Sequence, residues 1–140
     1  MKRFLLIICI AFITSINDIK TMTQSLVSKG VDAVYLPTDN NIASAITTVT
    51  EVTNAAGIPT ICGEEGMVSG GGIITLGINY FELGKITGQM AADVLNGAET
   101  STMAVKSLTE FTLVINKKVA EEAGISIPEA LIAKADKVIE

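Results

Sequence analysis

The 140-residue sequence contains no histidine. That removes His-centred triads, His general bases and every His metal site. Cysteine is nearly absent: Cys9 and Cys62 are too few for a disulfide scaffold or a thiolate metal cluster. Positive charge is short as well. Ten Lys+Arg stand against fifteen Asp+Glu, a net charge of −5, so there is no basic footprint for nucleic acid. Aromatics make up only 4% of the chain, yet 49% of it is hydrophobic, too much apolar surface for a disordered polymer. A chain of this length is expected to form one domain that buries roughly two-thirds of its unfolded surface.

The N-terminus reads in two ways. Met1-Lys2-Arg3 followed by the apolar run Phe4 to Ile13 has the basic start and short greasy core of a secretory signal. Ten residues are too few to span a bilayer as a helix. No small-x-small cleavage site follows, and Cys9 lacks the preceding Gly or Ala of a lipid-attachment motif. The same run reads equally as a first β-strand, bounded by the polar pair Thr14-Ser15.

Beyond Ser15, helical and strand patterns alternate. Ile19, Met22 and Leu26 keep helical spacing, with Ser15 and Asp18 placed to cap and Gly30 placed to terminate. Val31 to Leu36 is a strand ending at Pro37. Thr38-Asp39-Asn40 opens a helix whose inner stripe is Ile42, Ala45, Ile46, Val49, Val52 and Ala56, closed by Gly57. Its threonines are poor helix formers, so it depends on packing. Ile58 to Cys62 is a strand, and Gly63 to Gly72, with five glycines, a loop. Ile73 to Ile78 is a strand, and Asn79 to Asn96 a helix with stripe Leu83, Ile86, Met90 and Val94. Phe111 to Ile115 is expected as the last strand, Asn116 to Ala123 as a short helix and Pro128 to Ile139 as a final helix. The alternation predicts an α/β fold, a mostly parallel sheet flanked by helices. Ligands in such sheets sit beyond the carboxyl ends of the strands, which points to Pro37–Asn40, Gly63–Met67 and Asn79–Tyr80.

The polar residues at those ends have both structural and functional uses. Thr38, Asp39 and Asn40 can cap a helix, or hold a small polar ligand through helix N–H groups and the Asp39 carboxylate. Glu64 and Glu65 are adjacent carboxylates; one facing inward can meet a ligand cation while the other is solvated. Cys62, with no histidine to activate it, reads as a small buried hydrophobe. Ser69-Gly70-Gly71-Gly72 lacks the Lys-Ser/Thr ending of a phosphate loop and precedes a strand, so it reads as a hairpin or edge turn. Asn79-x-x-Glu82 has capping-box spacing, and Tyr80 can stack on a ligand ring or join the core. No nucleophile–base constellation can be assembled from these residues.

Four segments carry a family resemblance: VDAVYLPTDNNIASAI (31–46), GIPTICGEEGMVSGGG (57–72), TLGINYFELGKITGQMAADVLNGA (75–98) and FTLVINKKVAEEAGISIPE (111–129). From about Asp32 onward, and more weakly from Thr14, the chain resembles the solute-binding proteins of a bacterial ABC-transporter family that includes tryptophan- and tyrosine-type binders. The resemblance implies one lobe, the C-terminal one, of a type I periplasmic-binding fold. It implies a non-catalytic receptor for an amino-acid-like solute, exported to the periplasm or cell surface and docking to an ABC permease, with no cofactor. By carry-over, Thr38, Asp39, Asn40, Glu64, Asn79 and Tyr80 fall on the cleft wall.

The sequence also departs from that family. Its members are about twice as long, and Met1 to Ile13 is unlike the corresponding part. The residue matching Asn79 is commonly Asp. Residues 1–13 are then a signal or first strand, 14–140 the C-terminal lobe, and 79–110 the segment that packs on an N-terminal lobe. Without that lobe, the helix over 79–96 is expected to drive self-association, and solute binding to be weak. A carboxylate-using enzyme and a folded domain with no ligand are the alternatives.

Overall fold

Short β-branched bursts separated by amphipathic stretches build alternating strands and helices in the computed structural model, which describes residues 8–140. A 3-10 turn at Ile16–Asp18 leads into α1 (Ile19–Ser28), followed by β1 (Val34–Leu36), α2 (Asn40–Ser44), α3 (Ile46–Ala55) and β2 (Thr60–Cys62). Next come α4 (Glu65–Ser69), β3 (Ile74–Ile78) and α5 (Tyr80–Leu95). After a 3-10 turn at Thr100–Thr102, β4 (Phe111–Asn116), α6 (Lys117–Glu122), α7 (Glu129–Ile132) and β5 (Lys137–Ile139) complete the chain.

Among the described residues the strands form one sheet in the order β1-β2-β3-β4-β5. β1–β2, β2–β3 and β4–β5 pair in parallel, and β3–β4 is antiparallel. The expected α/β class with a mostly parallel sheet is what the chain adopts. Val34, Leu36, Cys62 and Val114 project from one face of the sheet onto Ile19, Ile42, Ile46, Val49, Met67 and Val68. Each fully buried aliphatic side chain there contributes about 1.5–3 kcal/mol. Glycines 30, 57, 97 and 124, all at positive φ, follow the ends of their helices, the first two as the sequence predicts.

Of the segment 1–13, expected as a signal or a first strand, residues 1–7 lie outside the described residues, and 8–13 pair with no strand. Three expectations need correction. The single helix expected from Asn40 onward is two, broken at Ala45 (φ −110°, ψ 19°). The break rotates the buried face: Thr50 and Thr53 join Ile46 and Val49 inside, while Ala56 is exposed. Thr53 is accommodated because its hydroxyl donates to the Val49 carbonyl at 3.2 Å.

The Gly63–Gly72 loop contains a helical turn, α4, and the triple glycine connects it to β3, which is parallel to β2, so no hairpin forms there. The last helix stops at Ile132, not Ile139. Its expected second half turns at Asp136, whose carboxylate accepts the Leu113 N–H at 2.7 Å, and enters the sheet as β5. The open edge of β4 gives Val138 and Ile139 a better place than a helix would.

Candidate functional site

Three parallel neighbours, β1, β2 and β3, deliver their carboxyl ends to one edge of the sheet, and a helix starts at each. At the end of β1, Asp39 is the N-cap of α2: its Oδ1 accepts the N–H groups of Asn41 (2.9 Å) and Ile42 (3.1 Å). At the end of β2, Glu64 caps α4 with both oxygens, Oε2 accepting from Gly66 (2.6 Å) and Oε1 from Met67 (2.7 Å). At the end of β3, Asn79 Oδ1 accepts from Phe81 (3.0 Å) and Glu82 (3.2 Å) at the start of α5. The same three residues that the sequence singled out are thus brought to one edge, each holding a helix N-terminus.

Two glycines let these ends approach. A Cβ on Gly63 would lie 2.6 Å from both the backbone nitrogen and the hydroxyl oxygen of Thr38. A Cβ on Gly77 would lie 3.2 Å from the Glu64 Cα and from the Gly63 carbonyl oxygen. Thr38 uses the closeness to donate its hydroxyl to the Gly63 carbonyl at 3.3 Å. The β1 end is therefore tied to the β2 end, and the β2 end to β3.

Capping leaves specific atoms over. Among the described residues, Asp39 Oδ2 and Asn79 Nδ2 make no hydrogen bond, whereas both Glu64 oxygens are occupied. Asp39 offers a carboxylate oxygen to a cation and Asn79 an N–H to an anion; Glu64 acts mainly as a clamp on its own loop. Asn40 is exposed at the first position of α2, and Tyr80 opens α5 with half of its surface exposed. The adjacent Glu65 is not a free carboxylate, since Lys137 Nζ reaches its Oε1 at 2.6 Å.

The edge is an open wall. A pocket of ≈ 470 Å³ touches it only at Asn79 and runs away between Ile86, Glu110, Phe111 and Asp136. Thr38, Asp39, Asn40, Glu64 and Tyr80 line neither this pocket nor the larger groove on the other side of β1. Among the described residues, no group of three or more His, Cys, Asp or Glu side chains could hold a metal ion.

Cys62, at the end of β2, is buried, and burial pushes its thiol up from the ordinary 9.0 to about 11. The Thr60 hydrogen bond opposes that rise, and the nearby Glu64 charge adds to it. Such a thiol is a packed hydrophobe, as its sequence context suggests. Thr75, next to it on β3, was missed by sequence reasoning: it is fully buried, and its hydroxyl finds no hydrogen-bond partner among the described residues.

A family model described as ABC transporter substrate binding protein matches residues 1–139. The chain belongs to that family. The tyrosine-binding protein of Clostridioides difficile is 38% identical over 105 residues, which are 75% of this chain and 30% of that protein. A Streptococcus pneumoniae ABC domain solved in complex with L-Trp superposes with a TM-score of 0.83 at 37% identity, covering 91% of this chain and 43% of the other. A conserved domain protein of Vibrio cholerae gives 0.85 at 34% identity, with the same two coverages of 91% and 43%. The 140 residues thus span less than half the length of these relatives.

Proposed function

We propose that these residues form the C-terminal lobe of a solute-binding protein that serves an ABC importer, and that its solute is amino-acid-like. The convergence of Thr38, Asp39, Asn40, Glu64, Asn79 and Tyr80 on one sheet edge carries this reading. An amino acid needs a carboxylate for its ammonium, donors for its carboxylate and a surface for its side chain. Asp39 Oδ2 supplies the first, Asn79 Nδ2 together with Asn40 the second, and the exposed Tyr80 ring the third, with Thr38 holding the β1 end in place. The two neighbours named for tyrosine and tryptophan binding support an aromatic amino acid as the first solute to try.

The role is binding without catalysis, in which a second lobe closes over the solute and the closed form docks to a permease on the exported side of the membrane. The segment 79–110 is read as the part that packs on that second lobe. Its helix α5 has no buried residue among the described ones, and Phe81 and Leu95 are 74% and 87% exposed. In isolation, that face makes the chain self-associate, which sedimentation at rising concentration reads directly; a monomer at every concentration would count against it.

The solute reading is tested by thermal shift of the chain against tyrosine, tryptophan and other amino acids, with Asp39→Asn as the control that keeps the cap but loses the charge. A shift for one solute that vanishes in the variant supports the site. A shift that survives Asp39→Asn unchanged sinks the assignment of Asp39.

A further inference from the structure

Asn116 closes β4 and caps α6, and only 4% of its surface is exposed. Its Oδ1 accepts the Val119 N–H at 3.0 Å, which is all that capping α6 requires. The amide nitrogen is left over from that task, and a buried donor needs an acceptor. It finds one in the Val68 carbonyl at 3.1 Å, 48 residues back along the chain. The backbone N–H of Asn116 donates to the Ile73 carbonyl at 2.8 Å, just before β3. One residue thus joins the ends of three elements.

α4 needs such outside support. Five residues make little more than one turn, and a turn that short does not hold itself in water. Met67 and Val68 anchor its inner side in the core, and Glu64 takes the N–H groups of Gly66 and Met67. The carbonyls at a helix's carboxyl end have no partner within the helix. Here those of Gly70 and Gly71 accept from α3, from the Thr50 hydroxyl at 3.4 Å and the Asn54 amide at 3.1 Å. The Val68 carbonyl takes the Gly71 N–H at 3.2 Å and, as a second bond, the Asn116 amide. Two elements distant in sequence, α3 and β4, therefore grip the same short segment.

We infer that Asn116 is a positioning residue for the candidate solute site, acting through α4 on the Glu64 turn. That turn is the other end of α4: Glu64 is its cap, and the preceding Gly63 carbonyl accepts the Thr38 hydroxyl at the end of β1. A tilt of α4 would carry the turn away from Thr38 and open the edge on which the solute groups sit. The residue type follows from the double task. Asp and Ser cap a helix as well as Asn does, but Asp has no N–H and the Ser hydroxyl is too short to reach Val68. The inference rests on the reading of that edge as a solute site, and its first readout needs no solute.

The test follows amide hydrogen exchange across the full chain in Asn116→Ser and Asn116→Asp. Both variants keep an oxygen for the Val119 N–H and lose the donor to Val68. Exchange at Met67, which reports the Glu64 bond, and at Gly70, which reports the α4 turn, should quicken at least fivefold. Val119 should stay within twofold of the parent. A loss of general stability would quicken all three together. Uniform acceleration, or unchanged exchange at Met67 and Gly70, overturns the inference. If Asn116→Asp fails to fold because its charge is buried, the neutral Asn116→Ser decides alone. Where the parent binds L-tyrosine in a thermal-shift titration, Asn116→Ser should bind it at least threefold more weakly, and equal affinity overturns the positioning role. A parent that binds no amino acid sinks the solute reading, while exchange still decides the link from Asn116 to Glu64.

Discussion

Gly63 and Thr38 stand so close that a single added carbon at 63 would meet two atoms of residue 38 at 2.6 Å, one of them backbone. The contact joins the ends of β1 and β2, where the candidate ligand groups sit. Gly63→Ala should therefore destabilise the chain by about 1–3 kcal/mol through overpacking. Urea denaturation checks it, and Thr38→Ala, which loses only an exposed hydrogen bond, should cost clearly less. Equal costs for the two would remove the special standing of the glycine.

Asn79 offers a cleaner separation of scaffold and site. Asn79→Ala removes the cap of α5 and should cost about 1 kcal/mol, whereas Asn79→Asp keeps the cap and gains about 0.3–1 kcal/mol from the helix dipole. Melting curves of the three proteins should rank Asp above Asn above Ala. The Asp variant also loses the amide N–H offered to a solute carboxylate, so it should bind an amino acid less tightly while melting higher.

Thr75 buries a hydroxyl that bonds to nothing among the described residues. Thr75→Val replaces it with a methyl of similar shape and should stabilise the chain by about 1 kcal/mol, since an unsatisfied buried polar group costs of that order. A fall in stability on this substitution would indicate that the hydroxyl has a partner, such as an ordered water.

Cys62 links stability to alkaline pH. Burial raises its folded pKa from 9.0 to about 11. Below pH 9 the thiol is neutral in both states and the full contribution is present. Between about pH 9 and 11 the unfolded chain loses the proton and the folded chain keeps it, so stability falls, by about 2–3 kcal/mol at most. Urea midpoints of the parent and Cys62→Ala across that window should differ in slope, the parent falling more steeply. Parallel slopes would refute the linkage.

The parts of this structure legible in the sequence are those with local causes. α1 and α5 follow from apolar spacing with a polar residue before and a glycine after; Asp39 and Asn79 were readable as caps from their position alone. The candidate site residues stood out because strand ends and helix starts coincide at them. The unread parts have causes distant in sequence. α4 forms among glycines because Glu64 clamps two N–H groups and Met67 and Val68 sink into the core. β5 replaces the end of a predicted helix because Val114 and Ile115 on β4 stand ready to pair with Lys137 and Val138. Periodicity sees neither a carboxylate folded back on its own loop nor an open strand edge more than twenty residues away. The double engagement of Glu64 was equally invisible, and it gives that carboxylate a capping role beside its candidate place in the site.

The antiparallel pairing of β3 with β4 has an evolutionary corollary. Ile74 meets Ile115 and Ile78 meets Phe111, so the whole of 79–110 leaves and re-enters the sheet at adjacent points. Doubling the length of such an excursion costs only about 0.6 kcal/mol in closure entropy. The register of the two strands is held by side chains on the sheet itself. Lineages are thus free to lengthen, trim or exchange what lies between Ile78 and Phe111 while the lobe beneath keeps its shape.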